Sequence, residues 1–380
     1  MRDSQRSDGA FPSTAPIIWG GFGQGAWAEA GIITENYAAM EKYMGFLAAQ
    51  AGGGYQYNGA GTDFGDWVAY ENMDSRYISV CYYAYAAQLM SKMSKALSVT
   101  KGDAYDVKSE TYQTLYTNIK AEFQKRYVNT NGTLKQVSQT AYLLALKLGL
   151  FPNDEARNNG ITFLTQKIAN NGNKLSTGFI GTGTLNQTLS QSGASNTAYN
   201  LLLQRGNPSW IYSIDQGATT IWERWNSYTL EKGFQDVSMN SFNHYSYGAV
   251  SEWMYRFVAG IETDETTPGF KHFILQPTPD TRVTLPQGQE RINSAEATYS
   301  SYYGEIKSAW VMKSDGNIAY TATVPANTTA TLYLPLKGEK DVVYEGTKQA
   351  KNAKGVKFVK RENGKAVYEL QSGSYSFGIK

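Results

Sequence analysis

The stretch IKSAWVMKSDGNIAYTATV, residues 306–324, decides the fold of the C-terminal part of the chain. Every second residue from Ile306 to Met312, and again from Ile318 to Val324, is expected to face the core, and a turn at Ser314–Asn317 separates the two runs. A period of two is typical of strands with one buried face. An Asp-Gly turn between two such runs predicts a hairpin. The same alternation recurs in residues 330–336 and 375–379. The sequence therefore predicts an all-β sandwich after Pro268.

Upstream of this region the apolar residues follow a helical period. A single stripe at steps of three and four is formed by Tyr37, Met40, Met44 and Leu47. Further helices are predicted over residues 112–123, 141–148, 154–169, 194–204 and 247–259. No short Val- and Ile-rich runs alternate with them, which disfavours a βαβ sheet. We therefore predict a helical domain over residues 1–265 and a β-sandwich domain over residues 266–380.

Two stretches interrupt the helical pattern. Residues 52–61 and 176–192 are rich in glycine, aromatic or small polar residues and poor in charge. Loops of that length without structure of their own are usually functional or disordered. We predict ordered surface loops that line a cleft.

The composition excludes several classes of protein. The chain has 380 residues, 8 Trp, 28 Tyr and 15 Phe, but only 18% charged residues and a net charge of +2, which disfavours nucleic-acid binding. No apolar run reaches the ~18–20 residues of a membrane span, and the lone Cys81 cannot form an intrachain disulfide. Only two histidines exist, and His272 lies in a predicted strand where a structural role is expected. No nucleotide, zinc-protease or Gly-x-Ser-x-Gly motif is present, and no metal or other cofactor is expected.

The N-terminal residues 1–6 carry no apolar segment, so no signal peptide is expected. A periplasmic, an extracellular and a cytoplasmic location all stay open, and so does the oligomeric state.

Carboxylates among aromatic rings are the strongest chemical signal. Glu223 and Arg224 lie between Trp222 and Trp225 in residues 218–226, ATTIWERWN. Sugars present C–H faces and hydroxyl edges, so aromatic rings flanked by carboxylates suit them. Such a carboxylate can also accept a proton from water during glycosidic cleavage. The competing interpretation is a buried ion pair packed against two tryptophans.

Similar pairs recur elsewhere in the helical part. Asp66 and Trp67 follow the first Gly-rich stretch, and Trp27 lies two residues before Glu29. His244 lies in a polar and aromatic segment just before a predicted helix. Together these pairs favour a carbohydrate cleft over unrelated core and capping positions.

At these segments the chain resembles the bacterial α-L-rhamnosidases, glycoside hydrolases that remove terminal rhamnose with inversion. The matching segments are residues 8–12, 26–31, 65–67, 178–182, 208–210, 217–225, 241–245, 248–256, 268–270 and 274–277. The resemblance covers nearly the whole chain. It implies an (α/α)6 toroid of helical hairpins, incomplete here, with a C-terminal β-sandwich.

The resemblance also implies the site and its substrate. Glu223 would be the general base that activates the attacking water, and rhamnose-containing glycans or glycosides would be the partners. The expected substrate-binding residues are Trp27, Glu29, Asp66, Trp67, Trp222, Arg224, Trp225 and His244. Glu29 replaces an aspartate that is usual in its segment.

Two departures from the family pattern matter. The acidic motif that carries the family's general acid is not reproduced, and a helix usual between the equivalents of Ile33 and Thr34 is missing. We therefore expect this polypeptide alone to be weak or inactive. The alternatives are a non-catalytic carbohydrate-binding fragment, a helical-toroid glycosidase for another sugar, and a structural piece in which Trp222 and Trp225 are inaccessible core residues.

Overall fold

The computed structural model describes residues 30–56 and 64–380. Within these residues the chain forms two compact units, Ala30–Ala249 and Val250–Lys380. The division that the sequence places after residue 265 stays a prediction.

The first unit is helical. Its helices are α1 Ala30–Ala51, α2 Ser75–Lys101, α3 Asp103–Tyr127, α4 Gln139–Lys147, α5 Asp154–Asn170, α6 Phe179–Gln191, α7 Ser195–Leu202 and α8 Trp210–Asp215. Helices α2 and α3, α4 and α5, and α6 and α7 pack as hairpins, while α2 contacts α4 and α4 contacts α6. Nearly all of α4 is buried, whereas α3 buries only Ile119 and Phe123. The helices α2, α4 and α6 are therefore the inner layer, in agreement with the predicted ring of helical hairpins.

Four helix starts in the first unit are explained by local caps. The side chains of Asp74, Ser138, Asn153 and Ser209 each accept a hydrogen bond from a backbone N–H in the first turn of α2, α4, α5 and α8. Such caps satisfy donors that a helix cannot pair internally. Helices α3, α6 and α7 have no such cap from their N-cap residue, which in α6 is Gly178.

The prediction of a loop over residues 176–192 is wrong, since α6 occupies most of it. The helix has nine buried residues, and many of them are Gly, Thr, Asn or Gln. A helix is recognised in sequence by an apolar stripe opposite a polar face. A helix that is buried on all sides by small polar residues shows neither, so α6 could not be recognised in this way. Of the other Gly-rich stretch, Gly52–Gly54 form a single 3₁₀ turn, and residues 57–63 lie outside the described residues.

The first unit ends in irregular structure. A small hairpin of β1 Tyr228–Thr229 and β2 Gly233–Phe234 is followed by a 3₁₀ turn at Ser246–Ala249. The second unit opens with α9 Val250–Trp253 and a π-helix at Met254–Ala259.

Two sheets make up the rest of the second unit. The strands are β3 Ile261–Thr263, β4 His272–Leu275, β5 Ser294–Ser301, β6 Gly304–Met312, β7 Ile318–Val324, β8 Thr329–Pro335, β9 Val343–Glu345, β10 Lys348–Gln349, β11 Val356–Glu362, β12 Lys365–Leu370 and β13 Gly373–Ile379. One sheet has the order β10-β9-β13-β7-β6-β5, and the other has the order β11-β12-β8-β4-β3. The pair β4–β8 is parallel, and every other pair is antiparallel.

The predicted alternation in residues 306–324 is confirmed. In β7 the residues Ile318, Tyr320, Ala322 and Val324 are buried while the residues between them are more exposed. In β6 the inward Trp310 donates its indole N–H to the Val258 carbonyl at 2.7 Å. The polar group of a buried side chain is thus satisfied by the π-helix.

No helix in the described part of the chain is both long and apolar enough to cross a membrane.

Candidate active site

Glu223 and His244 lie on two backbone segments that run side by side in the first unit. The Glu223 N–H donates to the Ser241 carbonyl at 2.9 Å, and the His244 N–H donates to the Ile221 carbonyl at 2.8 Å. The two segments are far apart in sequence, and these hydrogen bonds hold them about one strand spacing, roughly 4.8 Å, apart. The structure therefore brings together two of the residues that the sequence predicted for one site.

The Glu223 carboxylate is held by one oxygen. Its Oε2 accepts the Ser241 backbone N–H at 2.9 Å, while Oε1 has no hydrogen bond to any residue that the structure describes. The side chain is half-buried. A fixed carboxylate with one free oxygen is suited to accept a proton from a water molecule.

Arg224 does not compete for that oxygen. Its guanidinium pairs with Asp236 at 2.9 Å, and both side chains are 36% exposed. Hydrogen bonds from Ser238 and Met239, together with the charge of Arg224, keep the pKa of Asp236 below its usual range. Arg224 is thus already neutralised within the site.

The two tryptophans that flank Glu223 and Arg224 are buried. Trp225 is 3% exposed, stacks on Tyr247 with ring centroids 3.9 Å apart, and meets the Trp210 ring edge-on at 5.2 Å. Trp222 is 7% exposed and packs edge-to-face on Phe242 at 5.4 Å. These two rings pack against other aromatic rings and offer little surface to a ligand.

Asp66 closes the open end of α6. Its Oδ1 accepts the N–H groups of Ile180 and Gly181 at 2.8 and 3.3 Å, and its Oδ2 accepts the Gly178 N–H at 2.8 Å and the Thr140 hydroxyl at 2.5 Å. Burial raises the pKa of this carboxyl group, and the four donors act against that rise. Both oxygens are occupied, so Asp66 works as a cap supplied from more than a hundred residues away in the sequence.

The segment Gly178-Phe179-Ile180-Gly181-Thr182 is explained by the same contact. A Cβ on Gly178 would lie 2.1 Å from the Trp67 carbonyl oxygen, and one on Gly181 would lie 2.4 Å from the Thr140 hydroxyl oxygen. Glycine at position 178 lets the Asp66 turn approach the start of α6, and glycine at position 181 lets Thr140 of α4 approach it. The two glycines therefore serve packing at the site.

The Asp66 turn also borders an open space. A cavity of about 410 Å³ is lined by residues of the 64–75 segment, including Asp66 and Glu71. Val68 has a left-handed backbone with φ of 55°, which is strained for a β-branched residue. Trp67 is half-buried and packs edge-to-face on Phe64 at 5.1 Å. Of the predicted tryptophans that the structure describes, Trp67 is the most accessible.

Phe179 connects helix α6, which Asp66 caps, to the segment that contains His244. As the first residue of α6 it stacks on His244 at 4.7 Å and meets Tyr247 edge-on at 5.3 Å. The His244 Nδ1 accepts the Ser246 N–H at 3.4 Å. The structure thus links Asp66, through α6, to the segment that pairs with Glu223.

The predicted residues therefore fall into three groups. Glu223, Arg224, Trp222, Trp225 and His244 come together directly. Asp66 and Trp67 join them through α6, and Trp27 and Glu29 lie outside the described residues.

Sequence reasoning missed Phe179 and Tyr247 as individual contributors. Both lie in segments quoted for the resemblance or for the polar and aromatic pattern, so a signal was present. An aromatic residue with no charged neighbour in sequence gives no indication of which ring it will meet. Tyr247 lies near several of the predicted site residues. Burial raises its pKa most, and the nearby Tyr70, Asp66 and Glu223 raise it further.

In residues 30–56 and 64–380 no group of three or more His, Cys, Asp or Glu side chains is placed to hold a metal ion.

Comparison with known proteins identifies the family of this chain. The six-hairpin glycosidase domain of the bacterial α-L-rhamnosidases matches residues 1–258. The C-terminal domain of the same enzymes matches residues 260–349. The chain therefore belongs to the bacterial α-L-rhamnosidase family.

Named relatives agree. The chain is 34% identical over its whole length to an α-L-rhamnosidase of Streptomyces avermitilis and 32% identical to one of Formosa agariphila, of which it covers 35% and 41%. The crystal structure of the Streptomyces avermitilis α-L-rhamnosidase complexed with L-rhamnose superposes with a TM-score of 0.82 at 33% identity, over 99% of this chain and 35% of that one. This chain thus spans between a third and a half of the length of these relatives.

Proposed function

We propose that this chain carries the rhamnoside-binding cleft and the general base of an inverting α-L-rhamnosidase, and that Glu223 is that base. The observation that supports this most directly is the state of its carboxylate, with Oε2 held by Ser241 and Oε1 without a partner among the described residues. The half-buried position limits solvation of the anion without removing it from water.

In the proposed reaction the Glu223 Oε1 takes a proton from water as the water oxygen bonds to the anomeric carbon. The glycosidic C–O bond breaks on the opposite face, and the leaving oxygen receives a proton from a general acid. We assign that acid to no described residue. In an inverting enzyme it would lie about 6.5–9.5 Å from the base, with room for the water.

A second candidate is sugar binding without catalysis. The other carboxylates described around the site, Asp66, Glu71 and Asp236, have both oxygens engaged. None has an oxygen free to protonate a leaving group. A chain with the cleft and the base but without an acid would bind rhamnose, and it would hydrolyse rhamnosides about 10²–10⁴ times more slowly than an enzyme with both groups.

The test is release of nitrophenol from 4-nitrophenyl α-L-rhamnoside, together with calorimetric binding of L-rhamnose. Glu223→Gln should lower any turnover by about 10²–10⁴ and leave rhamnose binding within a few-fold. Glu231→Gln is the matched control, because Glu231 is exposed in the turn between β1 and β2. Turnover that survives Glu223→Gln would show that the base is another residue. Rhamnose binding without turnover would favour the second candidate, and neither binding nor turnover would contradict both.

A further inference from the structure

The second unit contains an open groove beside the parallel strands β4 and β8. Its volume is about 620 Å³, and every residue that lines it is polar. The lining includes Lys271, His272, Asn327 and Gln371 and contains no acidic residue. A groove with this lining is suited to a ligand with many hydroxyl groups and negative charge.

A turn that contains two tyrosines lies near this groove. Tyr302 and Tyr303 form the two-residue connection between β5 and β6, where Ser301 pairs with Gly304. Tyr302 is 95% exposed, and its ring meets the Tyr303 ring edge-on at 5.6 Å. Turns of this kind usually carry Gly, Asn, Asp or Ser. We call residues 301–304 the tyrosine turn.

The tyrosine turn and the groove share a wall. The Lys271 Nζ lies 5.1 Å from the centre of the Tyr303 ring and donates to the Asn327 carbonyl at 2.5 Å. A Cβ on Gly304 would be 3.2 Å from the Cβ of Pro325, so the turn packs on the loop that bears Asn327. The Tyr303 ring therefore meets the groove lining at Lys271, and Tyr302 precedes it in the same turn.

The backbone just before Lys271 is strained. Phe270 has φ of 62°, an uncommon value for a bulky residue, and follows Gly269 at 81°. Its ring packs on Tyr299 at 4.6 Å. Strain of this kind persists only where the surrounding contacts fix it.

Lys271 is the cation that remains available in the groove. Both ring nitrogens of His272 lie within hydrogen-bond distance of threonine hydroxyls, at 2.7 Å from Thr329 and 2.9 Å from Thr331. An ammonium group has three donors, and the Lys271 ammonium uses one on Asn327. Residues 271–380 also carry 15 Lys and Arg against 10 Asp and Glu.

We propose that the groove and the tyrosine turn form a second glycan-binding site, specific for chains that contain uronic acid residues. A sugar ring stacks its C–H face on Tyr302, its hydroxyls bond to the amides and hydroxyls of the groove, and a uronate carboxylate pairs with Lys271. The site uses no residue of the candidate active site and does not depend on hydrolysis.

The test is affinity electrophoresis of the full chain in native gels that contain polygalacturonate, with dextran as the neutral polymer. Polygalacturonate should slow the chain more than dextran does. Tyr302→Ala should weaken that retardation about fivefold and Lys271→Ala about tenfold. Lys340→Ala makes the same charge change at an exposed position outside the groove lining and should leave the retardation within twofold. None of the three should change hydrolysis of a nitrophenyl rhamnoside.

Three results would overturn the proposal. The first is no retardation by polygalacturonate. The second is an equal loss in Lys340→Ala, which would mean binding by net charge alone. The third is stronger retardation by dextran, which would assign the site to neutral glycans. Since the readout is binding, a chain without any rhamnosidase activity tests this site equally well.

Discussion

The rings of Phe179 and His244 stack with their centroids 4.7 Å apart and their planes 27° apart. Phe179 opens α6, whose first turn is capped by Asp66, and His244 pairs through its backbone with Ile221, two residues before Glu223. This contact, with that of Phe179 on Tyr247, joins α6 to the segment that pairs with the Glu223 segment. The position of His244 therefore depends on a helix that supplies no charge to the site.

Phe179→Leu should weaken rhamnose binding several-fold, because His244 would lose the ring that holds its plane. The cost in the free energy of unfolding should be about 1 kcal/mol, typical of a lost aromatic pair. Phe163→Leu is a matched control, since Phe163 stacks on Tyr142 at 4.3 Å between α4 and α5. Calorimetry and urea denaturation of both variants check this. Equal binding losses in the two would mean that Phe179 acts on stability alone.

Gly178→Ala should disrupt the site, because the added Cβ would lie 2.1 Å from the Trp67 carbonyl oxygen, which is backbone and cannot rotate away. We expect a loss of about 3 kcal/mol or more in the free energy of unfolding. Gly183→Ala lies in the same helix, and its nearest neighbour would be the Ala249 Cβ at 4.0 Å. That variant should be unchanged or gain up to about 1 kcal/mol. Thermal unfolding of the pair checks both, and a tolerated Gly178→Ala would contradict the close approach.

The fold was predictable wherever periodicity was clean. Tyr37, Met44 and Leu47 are buried on α1 as the helical stripe predicts, and Tyr375 and Phe377 are buried on β13 as the alternation predicts. Helix α6 was missed because its stability comes from outside its own sequence. Asp66 caps it, and α4 and α7 bury it. No local pattern can report a cap supplied by a distant residue.

The sequence indicated which residues lie near the candidate site better than it indicated what their side chains contact. Glu223 and His244 were expected together and lie on paired segments. Asp66 was expected to bind substrate, and in the structure both of its carboxylate oxygens accept hydrogen bonds at the start of α6. Carboxylate-tryptophan pairs look alike in sequence whether the carboxylate faces a ligand or a helix end. Hydrogen-bond saturation distinguishes them, and it depends on tertiary structure.

Asp66 should make stability depend on pH in an unusual direction. Because burial raises its pKa in the folded state above 3.8, the folded chain binds more protons than the unfolded chain over the window between the two values. The contribution of this group to the free energy of unfolding is therefore full below the unfolded pKa and declines as pH rises through the folded pKa.

Asp66→Asn should remove this decline and also leave a donor of the α6 terminus unpaired, at a cost of about 1–3 kcal/mol. Urea denaturation of both forms between about pH 4 and pH 7 measures it. The advantage of the parent chain over the variant should shrink as pH rises. An advantage that grows with pH would show that the four hydrogen bonds outweigh burial and hold the pKa below its usual value.

The Tyr247 hydroxyl gives the last prediction. Tyr247 is 2% exposed and stacked on Trp225, yet its hydroxyl is buried and has no hydrogen-bond partner among the described residues. A buried hydroxyl without a partner costs free energy, so Tyr247→Phe should leave stability unchanged or raise it by about 1 kcal/mol. Tyr77→Phe is the control, because the equally buried Tyr77 donates to the Ala141 carbonyl at 2.8 Å and should lose about 1–2 kcal/mol.

Urea denaturation of both tyrosine variants decides the point. If Tyr247→Phe loses as much as Tyr77→Phe, the Tyr247 hydroxyl has a partner, which would be an internal water or a group outside residues 30–56 and 64–380. If stability holds while rhamnose binding weakens, the hydroxyl belongs to the sugar site. The stack on Trp225 would then support Glu223 from one side and present a polar group to the ligand from the other, because Trp225 and Glu223 are two residues apart on the same segment.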